Sequence, residues 1–207
     1  MRMLDLFAGR FGWGRVFAAR GWEVVGIDLT LPPEIPQGCE FIQADVLTIT
    51  PDWIAEQGFD FICASSPCEQ FSVHGMKHFH PNPPYPELGI KLFNHTRMLC
   101  ESAGVQYVME NVRAAQQFVG NAVHHCGPFY LWGNGVPAIM PQGINKGFGD
   151  QSTEHYHANL DRISPHRRAA NTATIPPELS ACVADYAERL MEQTKPADDL
   201  AGGMKSI

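Results

Sequence analysis

The chain has 207 residues, 44% of them hydrophobic, which is enough for one well-buried domain with at most a small appendage. A net charge of −7 argues against a generic nucleic-acid binder, because phosphate contacts need Lys and Arg. No apolar run reaches the roughly 18 residues of a membrane span, and the six cysteines form no CxxC pair, so neither a zinc site nor a disulfide framework is expected.

Arg2 to Phe7 reads as a strand. It starts almost at the first residue, so no signal peptide is expected and a reducing cytoplasm is the expected location. Met3-Leu4-Asp5-Leu6-Phe7 runs into Ala8-Gly9-Arg10-Phe11-Gly12-Trp13-Gly14, and Arg15 to Arg20 follows with a helical pattern whose inner face is Val16, Phe17 and Ala19. Strand, glycine turn and helix open a nucleotide-binding βαβ unit. The spacing is not GxGxxG, so a pyrophosphate cradle is not the natural reading, and a purely structural turn stays open.

Trp22 to Ile27 is the second strand, ending in Asp28, about 20 residues beyond the turn, where Rossmann-like proteins hold ribose hydroxyls. The alternative is a cap. Leu29-Thr30-Leu31-Pro32-Pro33 does not look like a helix start, which favours the ribose reading. Glu40 to Ala44 is a third strand, followed by Asp45 and Val46. Asp5, Asp28 and Asp45 thus mark three successive strand ends beside one cleft.

Pro51 to Gln57 reads as a short helix and Phe59 to Ala64 as a buried strand. A Ser65-Ser66-Pro67 turn stops that strand and leaves Cys68 just past its end. In open α/β sheets ligands gather outside the carboxyl ends of the strands. Cys68 is therefore a candidate nucleophile, with an inert core thiol as the alternative. After Ser72 a loop rich in Pro, His, Asn and Gly runs to about Pro86, and its histidines, His74, His78 and His80, lack the partner set of a metal site. No metal is expected. Glu87 to Ala103 is a helix with Leu88, Leu92, Met98 and Leu99 apolar, stopped by Gly104. Val105 to Met109 is a strand that leads into Glu110-Asn111-Val112, a carboxylate about one sheet position from Cys68. A thiol and a nearby acid suit addition to an electron-poor ring.

Four segments, in order, resemble the cytosine C5 DNA methyltransferases. Leu4-Asp5-Leu6-Phe7-Ala8-Gly9 is similar to their first cofactor motif. Ser66-Pro67-Cys68-Glu69-Gln70-Phe71-Ser72 resembles their nucleophile motif and Glu110-Asn111-Val112 their Glu-Asn-Val. Ala170-Asn171-Thr172-Ala173-Thr174-Ile175-Pro176-Pro177 is a loose form of their last motif, leading into a final helix, Glu178 to Glu192. The resemblance covers about residues 2 to 190 and implies a Rossmann-like S-adenosylmethionine-dependent methyltransferase fold: α/β, mostly parallel, with helices on both faces. It implies S-adenosyl-L-methionine as cofactor and DNA as partner. Cys68 would attack C6 of cytosine while Glu110 engages N3, with Pro67 shaping the turn and Asn111 holding the nucleophile loop. The implied cofactor residues are Asp5, Phe7, Ala8, Gly9, Gly12, Asp28, Leu29, Asp45, Val46, Pro67 and Asn171. The loop from Gln70 to Pro86, including Ser72, would close on a flipped base.

The sequence also departs from that pattern. Glu69 replaces a Gln beside the nucleophile, and Phe11-Gly12 stands where paired glycines are usual. No Gln-x-Arg-x-Arg segment follows Glu110, and Arg113, Arg167 or Arg168 is expected to substitute as the substrate arginine. Residues 1–193 are expected to form one catalytic domain and 194–207 a disordered tail. Within that domain about 35 residues, Gly135 to Ala169, stand where a target-recognition domain is usual, too few for an independent core. Such compact size resembles phage and prophage enzymes. Sequence reading would then be short, lax or delegated to an accessory protein. The competing readings are the same chemistry on free cytosine nucleotide or RNA, and a cofactor-binding interaction protein without catalysis.

Overall fold

Met3, Leu4 and Leu6, Val24, Val25 and Ile27, and Phe61 to Ala64 are buried on both faces of their strands. Continuous apolar runs of this kind belong to a parallel sheet covered by helices on each side. The computed structural model describes residues 1–72, 86–144 and 174–194. It contains that sheet, with strands β1 (Arg2–Leu6), β2 (Glu23–Asp28), β3 (Cys39–Gln43), β4 (Phe61–Ser65), β5 (Gln106–Asn111), β6 (His124–Cys126) and β7 (Phe129–Trp132). Their spatial order is β3-β2-β1-β4-β5-β7-β6. β3, β2, β1, β4 and β5 are mutually parallel, and β7 is antiparallel to both of its neighbours. The order of strands reverses between β1 and β4, which opens a crevice at their carboxyl ends.

Helices α1 (Gly14–Ala19) and α5 (Pro177–Thr194) cover one face, around Phe17, Trp22, Leu179 and Val183. Helices α2 (Pro51–Gln57), α3 (Glu87–Ala103) and α4 (Gln116–Val119) cover the other, around Ile54, Phe93, Leu99 and Trp132. Arg20 pairs with Asp185 and Glu188, and the Trp22 indole donates to Glu188, so α5 is clasped to the first βαβ unit.

Local signals account for the helix ends. Thr50 caps α2 by accepting from the Trp53 N–H, Pro51 occupies the first turn, and Gly58 closes the helix in a left-handed conformation. Gly104 ends α3 in the same way.

The structure corrects two expected helix faces. Leu88 and Met98 are exposed, and the inward stripe of α3 is Gly89, Phe93, Thr96, Leu99 and Cys100. Gly89 is on that stripe because a Cβ there would meet the Phe71 ring at 3.1 Å. In α1, Ala19 is exposed and Gly14 is buried in its place. The β6–β7 hairpin has no counterpart for β6 in the sequence reading. Its segment, His124-His125-Cys126, lacks apolar alternation and is held as a strand by pairing to β7.

Candidate active site

The first wall of the crevice is the turn that leaves β1. Phe7 and Phe11 have positive φ values of 60° and 58°, in the left-handed region that bulky residues seldom adopt, and Gly9 has φ 50°. Such strain persists only where the surroundings over-determine it. They do so here. The Ala8 N–H donates to the Ile27 carbonyl and the Phe11 N–H to the Ala8 carbonyl. The Phe11 ring is buried against Gly26 of β2, where a Cβ would overlap it. Asp5 holds the turn from within the sheet: its Oδ2 accepts the Gly14 N–H at 3.0 Å, and it is 1% exposed. Burial pushes this carboxyl well above its usual range, although the Gly14 N–H acts in the opposite direction. Asp5 therefore lies beneath the turn, whereas Asp28 and Asp45 are half-exposed at the rim.

Asp28 accepts from the Gly9 N–H through Oδ2 (3.0 Å) and from the Thr30 N–H through Oδ1 (2.9 Å). It ties the first turn to the end of β2, and each carboxylate oxygen retains acceptor capacity. Asp45 Oδ1 accepts from the Leu47 N–H at 2.9 Å, which caps a short 3-10 turn, Val46–Thr48. Leu29 is exposed beside Asp28, while the Val46 side chain is buried in the core and its carbonyl contacts His95 Nε2 at 3.1 Å. Ala8 is likewise buried. Gly12 faces the segment before α5, where a Cβ would meet the Ile175 N at 3.0 Å. Thr174-Ile175-Pro176 thus packs beside the first turn.

The second wall is the loop that leaves β4. Asn111, fully buried at the end of β5, donates through Nδ2 to the Ser66 carbonyl (3.0 Å) and hydroxyl (3.1 Å) and accepts the Val112 N–H. Pro67 is exposed on the turn and Cys68 half-exposed after it. The Cys68 carbonyl accepts from the Phe71 and Ser72 N–H groups and from the Ser72 hydroxyl at 2.9 Å. Ser72, expected at the substrate, here closes the nucleophile turn. The Gln70 side chain accepts the Gly89 N–H at 2.7 Å in the first turn of α3, and Phe71 is fully buried with its ring 6.1 Å from that of Phe118 on α4. Around Cys68, Ser66, Gln70 and Phe71 are therefore anchored to β5, α3 and α4 respectively.

Glu110 is 7% exposed and sits in the sheet between Ser65 of β4 and Leu131 of β7. That register brings a carboxyl beside the exit of β4, three residues before Cys68. The neighbouring thiol Cys63 is a core residue: burial pushes it well above its usual range, with the Asp5 charge adding to the effect. Arg113 is exposed two residues past Asn111 and lines a groove of about 480 Å³ with Ala114, Gln116, Gln117 and Asn121. Cys68 and Glu110 do not line that groove.

Arg167, Arg168 and Asn171 lie outside the described residues, as do His74, Lys77, His78, His80, most of the expected lid and residues 145–169. The tail beyond Thr194 also lies outside them. Trp13 and Ser65 acquire a role that their spacing did not signal: the buried Trp13 indole donates to the Ser65 hydroxyl at 2.9 Å, which joins the two walls.

The family model for C-5 cytosine-specific DNA methylases matches residues 1–124. No curated protein matches significantly. Among solved structures, one described as a DNA modification methyltransferase encoded within a prophage of E. coli is 21% identical, with a TM-score of 0.39 over 56% of this chain and 33% of that one. DNMT2 of Spodoptera frugiperda is 20% identical, with a TM-score of 0.39 over 56% of this chain and 37% of that one. The methyltransferase EhMeth of Entamoeba histolytica is 13% identical, with a TM-score of 0.40 over 58% of this chain and 40% of that one. The matched region of this chain spans 33 to 40% of the length of each of these structures.

Proposed function

The chain belongs to the C-5 cytosine-specific DNA methylase family, and from that premise we propose that it methylates C5 of cytosine in DNA with Cys68 as nucleophile. The observation that carries this reading is the β4–β5 register. It pairs Ser65 with Glu110 and so sets a buried carboxyl beside the loop that presents Cys68.

The residues of the first wall fit S-adenosyl-L-methionine. The carboxylates Asp28 and Asp45 suit ribose hydroxyls and an adenine amino group, and Leu29 and Phe7 offer apolar surface beside them. Gly9 lets a ligand approach the backbone, and Asn171 completes the set on the motif resemblance alone. When bound, S-adenosyl-L-methionine supplies a sulfonium-activated methyl group. Cys68 adds as thiolate to C6, and the C5–C6 π pair becomes nucleophilic at C5, while Glu110 hydrogen-bonds or protonates N3 and draws charge into the ring. After C5 is alkylated, a base takes its proton and Cys68 leaves with its bonding pair. In duplex DNA the base is first flipped out of the stack. Arg113, Arg167 or Arg168 serves the cytosine carbonyl.

The same proposal includes one catalytic unit over residues 1–193, a reduced recognition segment over 135–169, an accessory protein for sequence reading and a cytoplasmic setting. Among the described residues, no helix is long and apolar enough to cross a membrane.

The test is methyl transfer from labelled S-adenosyl-L-methionine to duplex DNA, single-stranded DNA, RNA and deoxycytidine nucleotides in parallel. Label in 5-methylcytosine from DNA, lost in Cys68→Ser, is the expected result. Label only in RNA or nucleotide would overturn the substrate. Cofactor binding without transfer to any of them would favour the non-catalytic alternative.

A further inference from the structure

We propose that Trp13 is a positioning residue through which cofactor binding at the first turn sets the placement of Cys68. This rests on the reading that the turn after β1 holds S-adenosyl-L-methionine and that Cys68 is the nucleophile. Three observations converge on Trp13. Its indole is 1% exposed, and its Nε1–H donates to the Ser65 hydroxyl at 2.9 Å. Its carbonyl accepts from the buried Ser180 hydroxyl of α5 at 2.9 Å. Its neighbour Gly12 lies close against Ile175, where a Cβ would meet the backbone N at 3.0 Å.

A buried indole N–H must find an acceptor, and here the acceptor is the last residue of β4. Ser65 and Ser66 are thus held from opposite sides, Ser65 by the turn that follows β1 and Ser66 by Asn111 of β5. Both strands are locked into the sheet on each side, β5 by β4 and β7 and β1 by β2 and β4, so only the turn that follows β1 is open to a ligand on that wall. The β1 wall is the one a ligand touches. A ligand that moves Phe7 to Gly9 finds little slack in the turn, because Phe11 is tied to Ala8 and its ring fills the space above Gly26. The displacement passes along the turn to Trp13 and through its N–H to Ser65, three residues from Cys68.

The test uses the full chain, with S-adenosyl-L-homocysteine as ligand and the iodoacetamide alkylation rate of Cys68 as readout. Trp13→Phe keeps an aromatic ring and removes the donor, and Ser65→Ala removes the acceptor. In the wild-type protein the ligand is expected to change the Cys68 rate about fivefold, the size of one neutral hydrogen bond. In both variants that response should fall to near unity while the ligand affinity stays within about threefold of wild type, a change under one hydrogen bond. Ser65→Thr, which retains the hydroxyl, should restore the response. If Trp13→Phe fails to fold, Ser65→Ala, at a half-exposed position, carries the test. Normal binding with a wild-type response in Ser65→Ala, or with no response in the wild-type protein, would overturn the coupling alone. Absence of ligand binding in the wild-type protein would overturn the cofactor reading and the coupling with it.

Discussion

Asn111 reaches from the end of β5 and donates to Ser66 twice, at 3.0 Å to its carbonyl and 3.1 Å to its hydroxyl. Both residues are buried, so neither can exchange this bond for one to water. Asn111→Ala should lower unfolding free energy by about 1–3 kcal/mol, the cost of leaving buried polar groups unsatisfied. It should also slow methyl transfer by about tenfold or more, because the turn that carries Cys68 loses one anchor. Asn111→Asp should do worse, since an acceptor would then face the Ser66 carbonyl. Urea midpoints and single-turnover rates on the same preparations check both parts.

Asp5→Asn tests the carboxyl beneath the first turn. The folded value of Asp5 lies above the ordinary value of 3.8, with burial the main cause. Its contribution to stability is therefore fully present below about pH 4 and is lost as pH rises through the folded value. An amide oxygen can still accept the Gly14 N–H, but an amide does not ionise. The melting temperature of the variant minus that of wild type should become more positive from pH 4 to pH 8, by about 2–4 °C per kcal/mol in a chain of this size. A flat difference across that range would refute the assignment.

Gly26→Ala should destabilise through Phe11. A Cβ on Gly26 would lie 2.6 Å from Phe11 Cζ and 2.9 Å from Ala8 Cβ. Overpacking of this kind costs about 1–3 kcal/mol. Phe11→Leu in the same chain should recover part of it, since residues in direct contact do not behave additively. A thermodynamic cycle from denaturant unfolding measures the recovery, and strict additivity would count against the contact.

Native-state alkylation should reach Cys68 before the other thiols. Cys63, Cys100 and Cys126 are buried. Burial also pushes Cys39 to about 11 and raises Cys182, so the two other half-exposed thiols are poor nucleophiles near neutral pH. Peptide mapping after brief treatment with iodoacetamide should find Cys68 first. Labelling led by Cys39 or Cys182 would refute this order.

Helices α2 and α3 are legible in the sequence because local chemistry decides them: a Thr50 cap, a Pro51 first turn, and left-handed glycines at 58 and 104. The same holds for Cys68 and Glu110, each placed by its own strand's end. The inward face of α3 is not legible. Leu88 and Met98 are as apolar as the residues that are buried, and only Phe71, arriving from another loop, explains why Gly89 faces in.

By itself the sequence determined the order of elements from β1 to β5 and the final helix, the strand ends that carry Asp28, Asp45, Cys68 and Glu110, and membership of a family. Only the tertiary structure decided that Asp5 lies beneath the turn, that Ser65 faces Glu110, and that Trp13 reaches Ser65 across 52 residues and Asn111 reaches Ser66 across 45. Propensities and caps act over a few residues along the chain. A hydrogen bond between remote residues exists only once helices packed on both faces have fixed the register of parallel strands.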